Sequence, residues 1–152
     1  MERGISVRIR IGQLLVVFAT MFAALASAED VVLVAGKDSP IESLSSLDIR
    51  KIYFGISVTI EGETIHGLRN RDDDRLNQIF LQSVIAMSQR SYERRLLSLT
   101  LKFGTPRPVL VDDREESLRW LAEKPTTITY MWKNNAKSEP GVKIIKVLWQ
   151  GT

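Results

Sequence analysis

Val31-Val32-Leu33-Val34-Ala35 is an unbroken apolar run, rich in β-branched residues and closed by Gly36. A strand with one wet face alternates apolar and polar residues, whereas this run offers water no face at all. It therefore predicts a strand buried on both sides, which requires layers packed above and below a sheet.

The rest of the chain supplies those layers. Ser46 reads as the cap of a short helix through Tyr53, with Ile49, Ile52 and Tyr53 at i, i+3, i+4 and Gly55 closing its end. Residues 57–60 and 64–68 read as short extended segments around a Glu61-Gly62 turn. Leu76, Ile79, Phe80, Val84 and Met87 share one helical stripe; Leu81 and Ile85 lie off it, which predicts a helix covered on two sides. Beyond Ser88, a second long helix carries Tyr92, Leu96, Leu99 and Phe103, and Gly104 and Pro106 end it. Asp112 and Glu115 have capping-box spacing for a fourth helix bearing Leu118 and Leu121 and stopping near Pro125. Residues 126–132 read as a strand, 134–141 as a loop and 142–149 as a last strand. Strands alternating with helices predict a small α/β domain.

The first 28 residues have the grammar of a secretory leader: Arg3, Arg8 and Arg10, an apolar core over 14–25, and Ala26-Ser27-Ala28 as a cleavage signature. That core is shorter than the about 20 residues a membrane span needs. The expectation is a signal peptide over 1–28, a single domain over 29–152, and a periplasmic product with no membrane insertion after cleavage. The leader holds three of the 21 basic residues and one of the 18 acidic ones, so the remainder is nearly neutral. No basic run with interleaved aromatics argues for nucleic acid. Cysteine is absent, which removes disulfides, thiolate metal sites, a thiol nucleophile and a lipid-bearing cysteine.

Candidate chemistry concentrates in Asn70-Arg71-Asp72-Asp73-Asp74-Arg75-Leu76, just ahead of the first long helical stripe. Three readings fit. The aspartates cap the helix and favour its positive end. Alternatively, one or two of them ligate a hard cation, although consecutive side chains diverge where a cation wants convergent oxygens. In the third reading, a strand leading into a helix start gathers backbone N–H groups for an anion, with Arg69 and Arg71 adding charge from one strand face. His66 is the only histidine, and no spacing aims it at a serine. No phosphate-binding loop, dinucleotide fingerprint or zinc-ligand pair is present, so the sequence predicts neither an enzyme nor a cofactor or metal. Arg90 and Arg94 share a helical face with Leu97 and Leu101, either a solvated rim or a face for a partner protein.

The succession VVLVAGKDSPIESLSSLDIRKIYFG, RNRDDDRLNQIF, KFGTPRP, LAEKP and TTITYMW resembles the periplasmic substrate-binding proteins of phosphate ABC transporters, over almost all of residues 31–132. The resemblance implies a small periplasmic-binding-protein-like domain, a mixed sheet flanked by about four helices. In those proteins an Asp-Gly-Ser-Gly-Thr turn and a preceding arginine hold phosphate. By that match Asp72 keeps the Asp, while Asp73, Asp74, Arg75 and Leu76 replace the next four residues. The arginine falls on or beside Asn70, between Arg69 and Arg71. The family's Pro-Gly-Ala-Ile-Gly-Tyr stands here as Pro125-Thr126-Thr127-Ile128-Thr129-Tyr130, without glycines, and the family's amino-terminal segment has no counterpart. The resemblance implies a small anion such as phosphate as ligand, held weakly or not at all, or an accessory role beside an envelope or transport protein. The alternative is an interaction module that kept the fold and lost the ligand.

Overall fold

A computed structural model describes residues 29–152; the leader expectation lies outside them. In chain order the elements are β1 (Val31–Gly36), α1 (Ser46–Tyr53), β2 (Thr59–Ile60), β3 (Glu63–Thr64), β4 (His66–Asn70), α2 (Asp74–Phe80), a π-helical turn (Leu81–Ile85), α3 (Gln89–Phe103), β5 (Val109–Val111), α4 (Arg114–Glu123), β6 (Thr127–Trp132), α5 (Lys133–Ser138) and β7 (Val142–Trp149). Five strands form one sheet in the order β5-β4-β6-β1-β7, and β2 and β3 form a separate small hairpin. β4 is parallel to β5 and β6, while β1 is antiparallel to its neighbours β6 and β7.

Every residue of β1 is buried, as its unbroken apolar run requires. Because strand side chains alternate, Val31, Leu33 and Ala35 enter one core with α1, α2, the π-helical turn and α3. Val32 and Val34 enter the other, with Leu121 of α4, Met131 of β6 and Ala136 of α5. In the larger core Phe80 stacks on Tyr130 with ring centres 3.8 Å apart, and Tyr53 meets Phe80 edge-on at 4.7 Å. Two glycines set how closely helices approach the sheet. A Cβ on Gly36 would lie 2.5 Å from the Leu121 carbonyl oxygen, and one on Gly67 would lie 3.0 Å from Ile52 Cγ2.

The structure corrects several local expectations. The buried stripe after β4 is Leu76, Phe80, Leu81 and Ile85, with Ile79, Val84 and Met87 only partly buried. The π-helical turn is the reason: its wider winding rephases the helix, carrying Leu81 and Ile85 inward. Phe103 is 75 % exposed rather than core, because α3 runs past the layer it covers. Residues 134–141 are largely helical, through α5. The caps of α1 and α4 are Ser45 and Asp113, one residue before the expected Ser46 and one residue after the expected Asp112. No helix among the described residues is long and apolar enough to cross a membrane.

Candidate functional site

The carboxyl ends of β4 and β6 meet the start of α2. Asp73 is the helix cap: its Oδ1 accepts from the Leu76 N–H at 2.9 Å and its Oδ2 accepts from the indole Nε1–H of Trp132 at 2.8 Å. Arg75 lies over the same indole, 5.7 Å from the ring centre. One carboxylate thus caps one N–H at the open end of α2 and ties it to β6, and both of its oxygens are occupied.

Arg69 is turned away from that end. Its side chain is 10 % exposed, with Nη1 donating to Glu93 Oε1 at 2.7 Å and Nε donating to the Pro108 carbonyl at 3.1 Å. A guanidinium so enclosed needs its partner, and Glu93 neutralises it. Arg71 instead reaches solvent and pairs with Asp112 at 3.3 Å, an exposed contact of small energetic weight.

Asn70 is buried between the strands. Its Nδ2 donates to the Tyr130 carbonyl at 2.6 Å, and its backbone N–H donates to the Tyr130 hydroxyl at 3.1 Å. That hydroxyl donates to Asn77 Oδ1 at 2.9 Å; Asn77 Nδ2 donates to Gln89 Oε1 at 2.9 Å; Gln89 Nε2 donates to Glu93 Oε1 at 3.1 Å. The chain closes on Arg69 and links β4, β6, α2 and α3 without a break. Burial pushes the Tyr130 phenol above its ordinary range, against the opposing Asn70 N–H, so the hydroxyl stays a donor.

This network floors a groove of about 520 Å³ between α2 and α3, within the size range of small-ligand pockets. Arg69, Asn70, Arg71 and Asp74 line it, with the carboxamides of Asn77, Gln78, Gln82 and Gln89. Asp72 and Asp73 face a separate cavity of only about 40 Å³ over the end of β6, beside Arg114 and Trp132. Asp73 also lines a hollow of about 280 Å³ with Glu29, Arg75 and Trp132. The aspartate run is therefore divided among three hollows, and among the described residues no group of three metal-ligating side chains converges. His66 begins β4 with its side chain exposed, apart from these hollows. Arg90, Arg94, Leu97 and Leu101 are exposed on α3 outside the groove.

Sequence reasoning missed Asn77, Gln89, Glu93, Tyr130 and Trp132. The i, i+4 pair Gln89 and Glu93 carries a local signal, since that spacing puts both on one helical face. Trp132 carries none, because only the sheet brings it to Asp73.

No protein-family model matches the sequence, and no curated protein does. Solved structures do match the fold. A phosphate ABC transporter substrate-binding protein from Clostridium perfringens, solved with bound phosphate, superposes with a TM-score of 0.58 at 17% identity, over 78% of this chain and 44% of its own. This is a periplasmic-binding-protein-like fold. An ABC-type phosphate transport receptor from Vibrio cholerae gives 0.56 at 12% identity, over 78% of this chain and 46% of its own. PstS from Borrelia burgdorferi gives 0.56 at 14% identity, over 78% and 47%. The chain thus spans less than half the length of each, the size of one lobe. Its sheet order and helix cover are the α/β architecture that the resemblance implied, with five helices and the π-helical turn among the described residues in place of about four helices.

Proposed function

We propose that the chain is a non-enzymatic, exported substrate-binding-protein-like domain that serves an envelope or transport system in an accessory role, with phosphate affinity weak or lost. In open α/β sheets ligands bind beyond the carboxyl ends of the strands. One observation carries the reading: at that end the Asp73 carboxylate already takes the Leu76 N–H and the Trp132 indole, the kind of donors an anion would use. Arg69, the nearest buried cation, is already neutralised by Glu93. Asp72 and Asp74 add repulsion beside it. Export rests on the leader grammar of residues 1–28.

Titration calorimetry with inorganic phosphate tests this, on the wild type and on Asp73→Gly/Asp74→Ser. The wild type is expected to give no saturable heat at physiological ionic strength. The variant should lose about 1 kcal/mol of stability with its cap and gain weak phosphate binding. Saturable phosphate binding by the wild type, lost in the variant, would show a working anion site and overturn the reading.

A further inference from the structure

α3 carries two apolar stripes. Tyr92, Leu96 and Leu99 form the inner one and are buried. At 100° per residue, Leu97 and Leu101 lie on the opposite side of the helix, in line with Arg90 and Arg94. They are 45 % and 76 % exposed. The inner stripe already anchors the helix, so the fold has no use for the outer one. Arg95 and Lys102, also exposed, lie about a third of a turn further round the helix. The one acid of α3, Glu93, is held by Arg69. Among the described residues, none of Arg90, Arg94, Arg95 or Lys102 pairs with a carboxylate.

We infer that this face docks an acidic protein segment, with carboxylates meeting Arg90 and Arg94 and an apolar ridge meeting Leu97 and Leu101. Charge selects the occupant. A second copy seated symmetrically would set α3 against α3 and bring cation to cation, a repulsive arrangement. A lipid surface would need a broader apolar face than two leucines, and interfacial binding helices carry more. Both cations of this face are guanidinium groups, whose planar fork matches a carboxylate in two hydrogen bonds. The inference deepens the accessory role proposed above by stating the partner's chemistry. It lies on a different face from the anion position, so phosphate titration and the following experiment fail separately.

A photo-crosslinking residue is placed at position 97 or 101 in the full chain, in its native host, and at Ile56 as an exposed control on another element. Positions 97 and 101 should give an adduct with the same protein and Ile56 should not; mass spectrometry should place the linked segment in an acidic stretch. A synthetic peptide of that segment should bind the purified chain, and Arg90→Glu/Arg94→Glu should weaken it at least tenfold with an unchanged melting temperature. Raised salt should weaken the wild-type complex in the same direction. Adducts with lipid or with a second copy, a linked segment lacking acidic residues, equal labelling from Ile56, or no adduct at all would each overturn the inference.

Discussion

A single hydroxyl, that of Tyr130, holds two sides of the groove together, accepting from the Asn70 N–H and donating to Asn77. The other two tyrosines of the chain are equally committed. Tyr53 donates to the Leu68 carbonyl at 3.2 Å, and Tyr92 donates to the Tyr53 carbonyl. Burial raises all three phenols above their ordinary value of 10.0, so folding favours the protonated form. The sign follows from linkage. Below about pH 10 both folded and unfolded chains keep these protons; above it the unfolded chain releases them first, and stability falls as pH rises. Tyrosinate absorbance should therefore stay flat in the folded protein and then rise for all three residues in one step, together with the loss of circular dichroism. Gradual titration of any tyrosine near pH 10 in a protein still folded would contradict this.

Helix-to-sheet spacing is set by two strand glycines rather than by the helices themselves. At Gly36 the obstacle to a Cβ is the backbone of α4, which cannot swing aside. At Gly67 it is the Tyr53 ring at 3.1 Å and the Ile52 methyl at 3.0 Å, which a small shift can relieve. Overpacking a core typically costs about 1–3 kcal/mol. Urea melts should then rank Gly36→Ala as the most damaging and Gly67→Ala as intermediate. Gly141→Ala, where a Cβ meets nothing within 4 Å, should stay within about 0.5 kcal/mol of wild type. A Gly67 variant less stable than the Gly36 variant would show that α1, not α4, is the tighter layer.

Across the whole molecule, β1 is the axis on which both cores depend, and β7 protects one of its edges. The two strands pair antiparallel along their length, with irregularities between Val31 and Val32 and between Leu33 and Val34. Ile145, Leu148 and Trp149 of β7 also pack against the larger core, and the Gly151 N–H donates to Asp30. Removing residues 142–152 would leave a fully apolar central strand as an open edge, a template for aggregation. The truncated chain should show no cooperative thermal transition and no dispersed amide spectrum. A cooperative melt from it would mean that β1 is secured by β6 and the helices alone.

Burial of β1 on both faces was legible in its five-residue run, because no other environment tolerates so many adjacent apolar side chains. The inner stripe Tyr92, Leu96 and Leu99 was legible from spacing alone, as was the alternation of strands with helices. A carboxylate cap at the start of α2 was one of three open readings there, and local sequence did not choose among them. The structure shows the cap at Asp73, and tertiary contact adds Trp132 from β6 to Asp73 and Glu93 from α3 to Arg69. Neither pairing has a sequence period, since each joins residues that only the sheet order makes neighbours. The π-helical turn escaped for a related reason: a stripe read at 3.6 residues per turn assumes uniform winding, and packing at Leu81 and Ile85 overrides it. Propensity and pattern determined which segments are helix or strand; long-range contact decided which polar groups are free to meet a ligand and which already hold the fold together.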